Sequence, residues 1–131
     1  MMNTITVTLP WTPAECSPNW RGHWRPRHKA SAKAKRDAYY VTIDECQRMC
    51  LRRISDWLDE NDRFTMQYSF NPPTAHKRDD DNFIARMKPA RDGICDALGV
   101  DDSVVALLPV EWGEVTPGGE VVITIGLLEE E

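Results

Sequence analysis

Apolar and polar residues alternate along two stretches of the chain, and each stretch ends at proline or asparagine. The first is "TITVTLP" at positions 4–10 and the second is "FTMQYSF" at 64–70. A period of two with β-branched and aromatic residues predicts a half-buried β-strand in each place. Near the C-terminus, "SVVALLPVEWGEV" (103–115) and "GEVVITIGLL" (119–128) flank the turn sequence "TPGG", which predicts an antiparallel hairpin.

Two other stretches carry apolar residues at helical spacing. Positions 31–58 predict a long amphipathic helix, with one break allowed near Thr42. A second helix is predicted from Asn82 to Leu98, closed by Gly99. Pro89 lies inside it and predicts a kink or a division into two short helices, because its ring clashes with the carbonyl four residues earlier.

The remaining segment, positions 10–28, contains four prolines and is predicted to be a long loop. The resulting order, β-α-β-α-β-β, predicts an α/β (α+β) fold in which two main helices pack on a mixed sheet. The length of 131 residues suits a single domain, which we place at 1–131.

Composition points to an ordinary globular protein, with 41% apolar residues, 28% charged residues and five tryptophans. The sequence has neither an apolar run of the ~20 residues that cross a bilayer nor a signal-peptide pattern, so a cytoplasmic location is expected. The four cysteines are too sparse for a disulfide scaffold and are expected to be reduced and mostly buried. A zinc site of Cys16, His23 and His28 is conceivable, but its spacing matches no standard pattern.

Charge is segregated along the chain. The net charge of −5 argues weakly against a nucleic-acid partner, yet positions 21–36 hold seven basic residues and no acidic one. The basic arm "NWRGHWRPRHK" (19–29) interleaves indoles with cations, the groups that stack on exposed bases and bind phosphates. The alternative is a solvated loop whose tryptophans pack on the domain. The candidate DNA-binding residues in this arm are Trp20, Arg21, Trp24, Arg25, Arg27 and Lys29.

Seven aspartates fall within positions 79–102, concentrated in "RDDDN" (78–82) and "GVDDS" (99–103). If the first segment is extended, the side chains of Asp79 and Asp81 leave the same side of the backbone. Taken alone, three aspartates before a helix are most often caps, since helix N-termini favour carboxylates. The second acidic pair favours a shared cation, provided that the fold brings Asp102 back towards Asp79.

The motifs "LPWTP" with "SPNWR", "RDDDN", "MKPARDG" and "LGVDDS" occur in an order and spacing that resemble the RusA-like Holliday-junction resolvases. The similarity spans essentially the whole chain. It implies a homodimeric, Mg²⁺-dependent endodeoxyribonuclease, with Mn²⁺ as a possible substitute, that nicks paired strands of a four-way DNA junction. By this resemblance Asp79, Asp81 and Asp102 are metal ligands, Asp80 stands at a variable position between two of them, and Asp101 is the neighbour of the third.

One motif departs from the family pattern. Many relatives carry a lysine about one helical turn after D-x-D-N, but the residue four places after Asp81 is Ala85. Lys88 is the nearest substitute, since seven residues return to the same face of an unbroken helix. Arg86 is the second choice for the cation and a further candidate for DNA contact. We therefore assign catalysis to Asp79, Asp81, Asp102 and Lys88.

These observations predict metal-dependent hydrolysis of a phosphodiester in branched DNA, within recombination and repair. One rival hypothesis is a non-catalytic relative that binds branched DNA through the basic arm and has lost activity with the missing lysine. Another is an unrelated α/β domain whose carboxylates are caps or a Ca²⁺ site, although the glycine and distal glutamate of an EF-hand loop are absent from the sequence.

Overall fold

The structure is a computed structural model that describes residues 4–49 and 63–127. Within these ranges a mixed β-sheet is covered by helices, which confirms the predicted α+β class. The strands are β1 (Thr4–Pro10), β2 (Phe64–Asn71), β3 (Val105–Leu107), β4 (Glu111–Trp112) and β5 (Glu120–Leu127). The helices are α1 (Trp24–Arg48), α2 (Asp80–Arg86) and α3 (Lys88–Leu98), with short 3₁₀ helices at Ala14–Cys16 and Asp102–Val104.

The sheet has the order β1-β5-β2-β3, with β4 also paired to β2. The predicted C-terminal hairpin is wrong, because β5 lies between β1 and β2 and is antiparallel to both. Strands β3 and β4 instead run parallel to β2 along its other edge. The turn itself forms, since Gly119 N donates to Thr116 O at 2.8 Å and Gly118 and Gly119 adopt positive φ. This turn connects β4 to β5, which pair with opposite edges of β2.

Alternation along the strands separates a buried face of the sheet from a more polar one. On β2, Phe64, Met66, Tyr68 and Phe70 are buried, while the residues between them are half-buried. Strands β1 and β5 follow the same rule, so one face of three adjacent strands forms a continuous apolar surface. Helices α1 and α3 pack together and complete the core.

Helix α1 begins earlier than the sequence predicts, at Trp24 rather than near residue 31. Pro26 is the third helical residue, where the missing N–H of proline has no intrahelical partner to lose, so it starts the helix instead of ending it. No break occurs at Thr42, whose Oγ1 donates to Ala38 O at 2.7 Å. The predicted continuation over 50–58 lies outside the described residues.

The second predicted helix is divided, as expected from Pro89. Helix α2 ends at Arg86, and α3 begins at Lys88 with Pro89 as its second residue. Gly99 ends α3 with φ 74°, the left-handed conformation that glycine adopts most readily. The junction at Met87 therefore lets α2 and α3 point in different directions while both bury an apolar face.

Three cysteines, Cys16, Cys46 and Cys95, are buried free thiols, and Cys50 lies outside the described residues. None of the described helices combines the length and apolar character needed to cross a membrane.

Candidate functional site

The acidic stretch 79–82 opens helix α2, and its first aspartate is a cap. Asp79 Oδ1 accepts a hydrogen bond from Asp81 N at 3.0 Å, and Asp79 has the extended backbone typical of an N-cap. Asp80 and Asp81 occupy the first helical turn, where carboxylates interact favourably with the helix dipole. All three side chains are exposed. Capping therefore explains Asp79, whereas the Asp81 side chain makes no ion pair or hydrogen bond with the part of the chain that the structure describes.

The middle aspartate has a role that the sequence did not reveal. Asp80 Oδ1 accepts a hydrogen bond from Trp112 Nε1 at 2.7 Å. The Trp112 ring in turn packs on Phe70 and Phe83, with centroid distances of 4.9 and 5.3 Å. Asp80 thus fastens the start of α2 to strand β4, which fixes the position of its acidic neighbours.

Arg78 stabilises the loop that leads into the acidic stretch. Its Nη1 donates to Thr74 O at 2.8 Å and to His76 O at 2.9 Å, and its Nη2 donates to Thr74 Oγ1. The guanidinium also lies over the Trp11 ring at 5.5 Å. The cation of "RDDDN" is therefore occupied within its own loop and does not neutralise the adjacent aspartates.

Asp102 lies beside two cations of helix α3. Its Oδ2 is 3.1 Å from Lys88 Nζ and 3.7 Å from Arg91 Nη2. Lys88 Nζ also bonds Asp92 at 2.8 Å. The hydrogen bonds to Asp92 and then Asp102 raise the pKa of Lys88, so this side chain stays protonated at neutral pH. The structure therefore brings together two of the predicted catalytic residues, Lys88 and Asp102.

Asp101, the neighbour of Asp102, caps the short 3₁₀ helix. Its Oδ1 accepts from Ser103 N at 2.9 Å, and the hydrogen bonds from Ser103 lower the pKa of Asp101. Its carboxylate thus has a local structural role comparable to that of Asp79.

The carboxylates of Asp79, Asp81 and Asp102 suit Mg²⁺ in donor chemistry, because hard divalent cations prefer oxygen ligands. In the structure, however, these three carboxylates do not form a metal site. Among residues 4–49 and 63–127, no group of three or more His, Cys, Asp or Glu side chains is placed to hold an ion. The same statement covers the zinc trio Cys16, His23 and His28. A metal shared by Asp79, Asp81 and Asp102 therefore requires these side chains to leave their observed positions, Asp102 giving up its contacts with Lys88 and Arg91.

Arg86, the second candidate cation, faces the interior of the molecule. Its Nη2 donates to Thr12 O at 2.6 Å and its guanidinium lies 4.3 Å from the centre of the Phe83 ring. Burial lowers the pKa of Arg86, and its Nε is buried with no partner among the described residues. This placement favours a structural role that ties α2 to the segment after β1, rather than the role in DNA contact expected from the sequence.

The predicted basic arm is divided between a loop and the first turns of α1. Residues 21–29 are all exposed, and the Trp24 side chain is 64% exposed. Arg25 lies over the Trp24 ring at 5.6 Å, and Arg25 N donates to His23 Nδ1, which caps the helix. Trp24, Arg25, Arg27 and Lys29 are thus exposed residues in the first turns of α1, which corrects the predicted loop.

Trp20 is placed differently from Trp24. It is half-buried, and its ring covers Gly22, where an added Cβ would come within 2.3 Å of the indole. Its Nε1 donates to His23 O at 3.5 Å. Trp20 therefore supports the shape of the loop before α1, while Trp24 is free to contact another molecule.

Comparison with known proteins places the chain in a family without assigning an activity. No family model matches it. A protein of Xylella fastidiosa, described as "Uncharacterized protein", is 41% identical over 124 residues, which cover 92% of this chain and 74% of that protein. The chain belongs to the same family as this bacterial protein.

Proposed function

We propose that the protein is a metal-dependent endodeoxyribonuclease that resolves Holliday junctions by paired nicking. The observation that supports this most is the contact between Lys88 Nζ and Asp102 Oδ2, at 3.1 Å. These residues are fourteen positions apart, and the resemblance to the RusA-like resolvases assigns catalytic roles to Asp102 and to a lysine near this place. A carboxylate ligand and a transition-state cation are expected to be neighbours in such a site.

In this proposal Asp79, Asp81 and Asp102 would hold Mg²⁺ or Mn²⁺. When bound, the ion supplies an activated water and offsets the charge of the leaving oxygen. The ion pair of Asp102 with Lys88 is not an obstacle, because both side chains are about half exposed (41% and 52%). Exposed pairs of this kind contribute only about 0–1 kcal/mol, which a metal–carboxylate bond readily exceeds.

Lys88 performs the part of the family lysine. A lysine is cationic at neutral pH, and an ammonium group released from Asp102 can stabilise the additional negative charge that a phosphodiester acquires during hydrolysis. Its position at the junction of α2 and α3 is compatible with a short reorientation between carboxylate and phosphate.

Branched DNA and a second copy of the chain complete the proposal. The exposed side chains of Trp24, Arg25, Arg27 and Lys29 at the start of α1 include an indole and three cations, which suits a DNA strand with unstacked bases at a junction. A homodimer with two-fold symmetry would place two sites for symmetric cuts in a four-way junction. Free thiols at Cys16, Cys46 and Cys95 are in keeping with a cytoplasmic location.

Cleavage of a synthetic four-way junction tests this function. Wild type should produce paired nicks with Mg²⁺ and none with EDTA. Asp81→Asn should abolish cutting and leave junction binding intact, whereas Asp96→Asn, which alters an exposed aspartate paired with Lys35, should cut normally. Nicking that persists in Asp81→Asn, or an uncut junction that wild type nevertheless binds in Mg²⁺, would contradict the nuclease assignment.

The second candidate function is a non-catalytic protein that binds branched DNA. It is favoured by the present partners of Asp102, which faces Lys88 and Arg91 instead of joining two further carboxylates. In that case the pairing would be purely structural. Wild type and Asp81→Asn would bind the junction equally, and neither would cut it.

A further inference from the structure

A pocket of about 430 Å³ opens beside the Lys88–Asp102 pair, and its walls come from three separate parts of the chain. The first turn of α1 contributes Arg27, the start of α3 contributes Lys88 and Arg91, and the segment around the first 3₁₀ helix closes one side. The remaining lining residues are uncharged: Cys16, Pro18, Ser31, Ile84, Ala85 and Pro89.

The charges around this pocket are unbalanced. Its lining in the described part of the chain includes three cations and no carboxylate. Arg27 makes no ion pair with any residue of 4–49 or 63–127. Lys88 and Arg91 both contact Asp102, and Lys88 also contacts Asp92. The three cations of this concave site thus contact only two carboxylates among the described residues, Asp92 and Asp102. The excess positive charge attracts an anion.

The geometry of the donors suits a phosphate. Arginine presents a planar set of N–H groups that matches two phosphate oxygens, and lysine adds a point charge. Ala85 lines the pocket with a small, uncharged side chain at the position where the family resemblance implies a lysine. Arg27, Lys88 and Arg91 thus supply, from neighbouring elements, positive charge that a residue at position 85 does not.

We propose that Arg27, Lys88 and Arg91 form a phosphate subsite that holds one backbone phosphodiester of a bound DNA strand next to Asp102. The proposal rests on the proposed DNA ligand but not on cleavage. The held phosphate would lie between Arg27 on α1 and the acidic residue Asp102. The subsite would therefore fix where the DNA strand passes from the start of α1 to the acidic residues.

Replacement of single DNA phosphates by neutral methylphosphonates tests this subsite. Binding of a four-way junction without terminal phosphates is measured in EDTA, so that cleavage plays no part. For wild type, neutralisation of one internal position in the strand at each protomer should weaken binding by about tenfold, the loss expected for one charge-assisted contact. In Arg27→Gln, and separately in Arg91→Gln, neutralisation of that same position should cost clearly less than in wild type, because one of the three cations that hold the phosphate is already gone.

Arg36→Gln is the matched control, since it removes an exposed cation of α1 that does not line the pocket. It should keep the wild-type sensitivity at the identified phosphate. Arg91 is half-buried, so thermal unfolding is used to check that Arg91→Gln folds. Arg27 is exposed, so Arg27→Gln tests the subsite even if Arg91→Gln does not fold.

Two results would overturn the subsite. The first is an equal loss at that phosphate in wild type and in Arg27→Gln. The second is a junction in which no internal phosphate is sensitive but an added terminal phosphate strengthens binding. The second would assign the pocket to a phosphate monoester. Because the assay reads binding alone, a preserved methylphosphonate effect together with an uncut junction in Mg²⁺ would refute the nuclease proposal and leave the subsite standing.

Discussion

Gly93 controls how closely α3 approaches α1, and therefore how closely Arg27 on α1 approaches Lys88 and Arg91 on α3. A Cβ at position 93 would lie 2.1 Å from Lys35 O, well inside van der Waals contact. Replacement by alanine would gain about 1 kcal/mol of helix propensity. The clash is with a backbone carbonyl that cannot rotate aside, so we expect an overpacking cost near the upper end of ~1–3 kcal/mol.

Gly93→Ala should therefore destabilise the fold by about 2 kcal/mol, which urea unfolding would show as a midpoint roughly 1 M lower, given slopes of ~1–3 kcal/mol per M. Ala32→Gly, at an exposed position of α1, measures the propensity effect alone and should cost about 1 kcal/mol. If Gly93→Ala is as stable as wild type or more stable, the close approach of the two helices is wrong.

Three further predictions concern stability and binding. Trp112→Phe keeps the ring on Phe70 but loses the bond to Asp80, so it should cost about 1 kcal/mol in urea unfolding; no loss would show that this bond does not stabilise the fold. Burial raises the pKa of Cys95 from 9.0 to about 11, so the neutral thiol stabilises the fold below pH 9.0 and this contribution is lost towards pH 11. Cys95→Ala should flatten the fall in unfolding free energy over that interval, and an unchanged fall would refute the assignment. Trp24→Ala should weaken junction binding about tenfold in a band-shift assay, since stacking contributes ~1–3 kcal/mol per base, while Tyr40→Ala, exposed on the same helix, should bind as wild type does.

Local patterns in the sequence predicted individual elements well. The alternation in 4–10 and 64–70 corresponds to β1 and β2, and Pro89 divides the second helix at Met87. Pro26 lies in the first turn of α1, where the sequence predicts a loop, because the effect of proline depends on its distance from the helix start, which periodicity alone does not give.

Strand pairing was not predictable from the same patterns. The sequence "GEVVITIGLL" alternates in the way that suits pairing with any neighbour, and adjacency in the chain favoured the segment just before it. In the fold this strand has hydrogen-bonded neighbours on both sides, β1 and β2, and its side chains Val121, Ile123 and Ile125 are fully buried in the core.

The candidate site shows the same division between local and long-range information. The capping role of Asp79 follows from a preference that the sequence displays directly. The bond between Asp80 and Trp112 spans 32 positions, and the proximity of Lys88 to Asp102 depends on where α3 ends. Arg86 looked like a surface cation, but Thr12 and Phe83 hold it inward, and no local signal marks these partners.

Binding of Mn²⁺ in solution tests the central claim most directly, because it asks whether the three carboxylates share one ion. Titration followed by electron paramagnetic resonance should show one site in wild type, lost in Asp81→Asn and in Asp102→Asn. Asp92→Asn, which removes a carboxylate that also contacts Lys88, should retain the site. Equal Mn²⁺ binding by wild type, Asp81→Asn and Asp102→Asn would contradict the account.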